Sequence, residues 1–130
     1  MKSLLVILFS LFVLSGFSKN YMLIVQCSFK NIEAGYDHQN KSIIYLDGRK
    51  IRESDIHKES ETSSTRVPVP EGEHTIKVEN WAFYNDKWEL HSKENNYSFY
   101  LINSERINVH HHLNIKLIYD LDNGAQLTYQ

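Results

Sequence analysis

Strict alternation of apolar and polar residues constrains this chain more than anything else in it. From Tyr21 the odd positions read Tyr21, Leu23, Val25, Cys27 and Phe29, while Gln26, Ser28 and Lys30 take the other side. The longest such run is Ile107, Val109, His111, Leu113, Ile115, Leu117 and Tyr119, opposite Asn108, His110, His112, Asn114 and Lys116. A period of two puts one set on each face of a β-strand. No stretch after Ser18 sustains a helical period.

Turn signals divide the alternation. Ser42 to Leu46 is apolar and β-branched, and Asp47-Gly48 then predicts a tight hairpin, because a type I′ turn needs positive φ at both central residues. Arg66-Val67-Pro68-Val69 is extended, as the residue before proline must be. Val69-Pro70-Glu71-Gly72 suits a type I turn. His74, Ile76 and Val78 then alternate with Thr75, Lys77 and Glu79, until the phase slips at Asn80-Trp81 and implies a bulge. Trp88 and Leu90 share a face and read as core. Asn85-Asp86, Lys93 to Asn96, Asn103 to Glu105 and Asp120 to Gly124 mark further turns, with Tyr97, Phe99 and Leu101 alternating between the second and third. Ala125, Leu127 and Tyr129 close the chain. Arg52 to Thr65 lacks an apolar face and reads as an exposed connection or ragged edge. About seven or eight short strands with regular turns predict an all-β fold: a single antiparallel β-sandwich, immunoglobulin-like or prealbumin-like.

The first eighteen residues stand apart. Lys2, the apolar run Leu4–Leu14 and the small residues Gly16 and Ser18 form the three parts of an export signal. The run is shorter than the roughly 20 residues that span a bilayer. Residues 1–18 are therefore expected to be a cleaved signal peptide, with 19–130 as one β-sandwich domain, secreted or periplasmic and without a stable membrane span. Cleavage removes Lys2 and no acid, so the 14 Lys and Arg drop by one against 16 Asp and Glu. Such a mildly acidic balance argues against a nucleic-acid partner. Cys27 is the single cysteine, so disulfides do not stabilise the domain, and its place in the inward set predicts a buried structural thiol.

Two segments resemble a known family. Ile43-Ile44-Tyr45-Leu46-Asp47-Gly48-Arg49-Lys50-Ile51 is similar to the Asp-Gly hairpin of PEGA-type domains. Val67-Pro68-Val69-Pro70-Glu71-Gly72-Glu73-His74-Thr75-Ile76-Lys77-Val78 looks like their Pro-Gly-x-His turn and strand, with Glu71 inserted into the Pro-Gly pair. The resemblance spans about residues 42–119. It implies a small extracytoplasmic β-sandwich, a surface or accessory module of bacterial envelopes. It carries over no catalytic residues.

Three constellations offer chemistry. His110 and His112 share a strand face and give two imidazoles toward a Zn²⁺ or Cu²⁺ site, which needs three or four ligands. Glu53, Asp55, His57, Glu59 and Glu61 fall at every second position, but no glycine lies between Arg52 and Arg66 to wrap the chain around Ca²⁺. Trp81, Phe83 and Tyr84, with Trp88 nearby, supply aromatics that anchor partners when exposed and fill cores when not. No catalytic motif appears, so the chain is read as a non-enzyme. Asn40-Lys41-Ser42 and Asn96-Tyr97-Ser98 match the glycosylation sequon. The expectation is a non-catalytic binding or structural module of the envelope. It takes an unidentified protein or glycan partner through Trp81, Phe83 and Tyr84, and no cofactor. The alternatives are a metal-handling protein using His110 and His112, and a small inhibitor of a secreted enzyme.

Overall fold

The structure, a computed structural model, describes residues 19–95 and 102–130. The expected signal peptide, the Asn96 sequon and the alternation at Tyr97, Phe99 and Leu101 lie outside those residues. Within them the chain forms ten strands and no α-helix. They are β1 (Asn20–Lys30), β2 (Gln39–Leu46), β3 (Arg49–Glu53), β4 (His57–Lys58), β5 (Ser63–Pro70), β6 (Gly72–Tyr84), β7 (Lys87–Leu90), β8 (Ile102–Val109), β9 (Leu113–Asp120) and β10 (Gly124–Tyr129). A short 3₁₀ turn at Lys93–Asn95 follows β7.

The strands make two sheets that do not close into a barrel. The first runs β10-β9-β1-β5, and the second runs β3-β2-β6-β7, with β4 also on β2 and β8 also on β6. The pairing is not wholly antiparallel as expected: β1 and β9 run parallel, Leu23 beside Leu113 through Lys30 beside Asp120. A parallel neighbour arises because the chain enters and leaves the first sheet at the same end. No long helix crosses a membrane among the described residues.

Alternation decides what is buried. Leu23, Val25, Cys27 and Phe29 of β1 point inward between β5 and β9. Val67 and Val69, and Ile115, Leu117 and Tyr119, join them from the same sheet. Ile44 and Leu46, Ile76 and Val78, and Ile107 and Val109 face them from the other. Each such side chain, fully removed from water, contributes about 1.5–3 kcal/mol. Cys27 sits 1% exposed, and burial pushes its thiol up to about 11, so the inert structural thiol stands.

Four local readings are corrected. The run from Ile107 to Tyr119 is not one strand: β8 belongs to the second sheet and β9 to the first, and His110 to His112 make the crossing. His111 is consequently exposed rather than inward. The Val69–Gly72 segment is not the type I turn expected either, since Pro70 stays extended in β5 beside Asn20. β5 and β6 lie in different sheets, and Glu71 alone turns the corner, tied by its N–H to the Lys19 carbonyl at 2.7 Å. No bulge occurs at Asn80: β6 keeps continuous register with β2 and with β7. The apparent slip is Asn80 itself, a polar residue that stays inward and fully buried. The register shift that does occur lies between Ile44 and Tyr45 against β3, where the extra residue Ile51 packs against the core. Trp88, expected in the core, is half-buried on the outside of the second sheet.

Candidate functional site

Outward positions of β6 and β7 carry the aromatic segment. Because inward Asn80 and Ala82 hold the phase, Trp81 and Phe83 must face away from the core. Across the β6–β7 hairpin Trp81 pairs with Leu90, and Phe83 pairs with Trp88, their ring centroids 5.3 Å apart. On the other flank Lys41 of β2 pairs with Trp81. Its ammonium lies 4.6 Å from the Trp88 ring centroid and 2.8 Å from Glu53. The two lysines Lys41 and Lys50 hold the Glu53 carboxyl down to about 2. Farther along the face Lys77 lies 4.2 Å over Tyr45. The result is an apolar ring cluster bordered by fixed charges, with the Trp81 indole N–H buried and without a hydrogen bond among the described residues.

The expected trio does not stay together. Trp81 and Phe83 share the outer face, whereas Tyr84 sits at the hairpin tip, 45% exposed. There it meets His38 edge-on at 5.3 Å, and His38 in turn meets Tyr36, which is 57% exposed. Tyr36 lies in the connection after β1, where no periodicity marks a residue. Ile56, equally exposed, was hidden in the polar segment.

Beneath this tip lies a second cluster the sequence concealed. The alternating acids do not share one side: Glu53 is on the outer face, while Glu59 is 3% exposed. The Glu59 amide bonds the His38 carbonyl, which continues the β2–β4 pairing and turns the Glu59 side chain inward beside Asn40. Its Oε1 stands 3.8 Å from His91 Nε2, beyond hydrogen-bond reach. Burial pushes the Glu59 carboxyl up to about 7, with Asp37 adding to it, and pushes His91 down to about 4. Both groups are held toward their neutral forms. Asn40 is fully buried, and among the described residues neither end of its side-chain amide is hydrogen-bonded.

His110 and His112 do not share a face. The His112 Nδ1 accepts the Met22 N–H at 2.8 Å, so that lone pair is taken. His110 stacks edge-on with His111 at 4.5 Å instead. Among the described residues no three His, Cys, Asp or Glu side chains gather as metal ligands.

At the opposite end a latch joins the Asp47–Gly48 hairpin to the start of β6. Asp47 and Gly48 have φ of 50° and 81°, as the tight hairpin requires. The Asp47 carboxylate accepts the Thr75 N–H at 2.9 Å and contacts His74 Nδ1 at 2.6 Å. The other His74 nitrogen faces the Pro70 carbonyl at 2.8 Å. Both ring nitrogens thus face oxygens, the Asp47 carboxylate on one side and the Pro70 carbonyl on the other. His74 and the Thr75 amide hold the Asp47 carboxyl below its usual range.

No family model, curated protein or solved structure matches the chain.

Proposed function

We propose that this chain is a non-catalytic binding module of the cell envelope, secreted or periplasmic. It engages an envelope protein or glycan through the outer face of β6 and β7. The observation that carries this is the gathering of Trp81, Phe83, Trp88 and Leu90 outside the sandwich, where they contribute little to the main core. Aromatic rings with a charged border are the usual anatomy of a binding hot spot. Met1 to Ser18 support the extracytoplasmic setting through their export pattern.

The strand order favours the prealbumin-like over the immunoglobulin-like reading. In the immunoglobulin order the first two strands are neighbours in one sheet. Here β1 and β2 lie in different sheets. The Asp47–His74 latch supports the PEGA-type reading, since both of its segments serve one corner of the domain.

The test pairs Phe83→Ala with Trp88→Ala. Retention on envelope material should weaken about tenfold or more. The thermal midpoint should move little, because cross-strand pairs on an outer face are worth about 1 kcal/mol or less. A collapsed midpoint with unchanged retention assigns the rings to packing and sinks the reading.

A further inference from the structure

The sheets have four edges among the described residues, and three are defended against pairing. β5 carries Pro68, Pro70 and Arg66. β3 carries Arg49, Lys50, Arg52 and Glu53 and a register shift, and β4 beside it is two residues long. On the far side β7 is four residues with Lys87 and Glu89, and β8 carries Glu105 and Arg106. Prolines, charges, irregular register and shortness are the devices that keep edges from joining. β10 has none of them. Gly124-Ala125-Gln126-Leu127-Thr128-Tyr129 is uncharged, lacks proline, and pairs with β9 in unbroken register.

Its hydrogen-bonding phase is fixed by the residue that follows it. Gln130 and Asn114 exchange both main-chain bonds, at 2.8 and 2.7 Å. Bonded and non-bonded pairs alternate along an antiparallel ladder. Thr128 and Gln126 therefore also turn their main-chain groups toward β9. Ala125, Leu127 and Tyr129 turn theirs away, and no strand lies on that side among the described residues.

We propose that β10 pairs antiparallel with β10 of a second copy, about a two-fold axis at Leu127. The edge is self-complementary in that register. Leu127 faces the second copy's Leu127, and Ala125 faces its Tyr129, so every outward donor meets an acceptor. Three such pairs give about six main-chain hydrogen bonds. The exposed Gln126 faces the second copy's Thr128, polar to polar. Leu127, half-buried against its own core, continues the apolar layer across the axis. Such a closed, isologous contact makes one sheet run through both copies. The contact is small for a stable interface, so the dimer depends on concentration.

Sedimentation and amide exchange on the purified protein test this. As concentration rises, the wild type should shift from monomer to dimer. The amides of Ala125, Leu127 and Tyr129 should gain protection in step, while those of Gln126 and Thr128 are protected throughout. Gln126→Glu with Thr128→Glu sets like charges opposite each other across the axis. Within one chain it leaves residue 128 beside Lys116, an attractive neighbour. Dimerisation should weaken about tenfold or more. Mixing this variant with one carrying Gln126→Lys and Thr128→Lys should restore it, which no simple folding defect would do. A wild type that stays monomeric overturns the proposal. So do outward amides that exchange freely, or are protected equally, at every concentration, and a dimer indifferent to these charges.

Discussion

Two polar clusters lie between the same pair of sheets, and they differ in whether their members have partners. In the first, Asn80 accepts from the Ser42 hydroxyl at 2.9 Å and donates to the Tyr119 hydroxyl at 2.7 Å. Ser42 also reaches the Cys27 sulfur at 3.6 Å. These contacts bridge β2 and β6 of one sheet to β1 and β9 of the other. In the second, the Asn40 side-chain amide has no hydrogen bond among the described residues, and Glu59 Oε1 has none there either. Asn40 and Ser42 are two positions apart on one strand, equally buried. Burial alone therefore does not say whether a polar group supports a fold or strains it. The partner count does, because an unpaired buried group keeps its full desolvation cost of about 1–3 kcal/mol.

The largest expected effect follows from the bridged cluster. Asn80→Ala should cost about 3–5 kcal/mol in chemical denaturation, since it takes the donor from the Tyr119 hydroxyl, leaves the Ser42 hydroxyl only the Cys27 sulfur, and opens a void. Tyr119→Phe should cost less, about 1–3 kcal/mol, because only the Asn80 amide loses a partner. If Asn80→Ala were nearly neutral, the contrast between the clusters would fail.

The second cluster should show itself in pH dependence. The Glu59 carboxyl is raised, so its stability contribution is complete below its usual value of 4.5 and is lost as pH rises to about 7. His91 is lowered, so its contribution is complete above 6.5 and is lost as pH falls to about 4. Between pH 4.5 and 6.5 the two slopes oppose and nearly cancel. Glu59→Gln removes one of them. Relative to wild type, the variant should gain stability steadily between pH 4.5 and 7, by about 1.4 kcal/mol per pH unit and up to about 3 in all. Unfolding titrations of both proteins check this. A variant less stable than wild type at pH 7 would mean that Glu59 and His91 attract as an ion pair despite their 3.8 Å separation.

How far the sequence reveals these features depends on the same distinction. Alternation located the inward faces of β1, the first half of β6 and β9, because their buried residues are apolar. It failed where buried residues are polar and bonded. Asn80 read as a slip of phase, and Trp88 read as core because it shares a strand face with Leu90, although that face is the outer one. It also failed at His110 to His112, where β8 and β9 keep the same parity across a crossing that carries no glycine or proline. Glu59 was invisible within a charged run, since nothing local distinguishes a buried acid from its solvated neighbours. The Asp47–Gly48 hairpin was legible because a backbone conformation, rather than a distant partner, demands those residues. Of the candidate site, Trp81 and Phe83 were legible as aromatics. Their outward direction was not, because it depends on Asn80 being held inward by Tyr119, thirty-nine residues away.

The smallest effect is also the sharpest divider. Asn40→Leu keeps a side chain of similar bulk and removes two buried groups that bond to nothing among the described residues. Its neighbours across the sheet are Ala82 on one side and His57 on the other. An apolar side chain there meets Ala82 without stranding a former partner. The variant should therefore gain about 1 kcal/mol, read as a rise of about 4–8 °C in the thermal midpoint. Ser42→Ala, two positions along the same strand, should lose about 1–2 kcal/mol, since Asn80 then lacks its donor. Opposite signs at two equally buried polar residues would establish partner satisfaction as the variable that separates the clusters. If Asn40→Leu instead lowered the midpoint, the amide would have partners beyond the protein's own described groups. The region around Asn40 and Glu59 would then be a polar socket under the Tyr84 tip rather than a strained corner of the core.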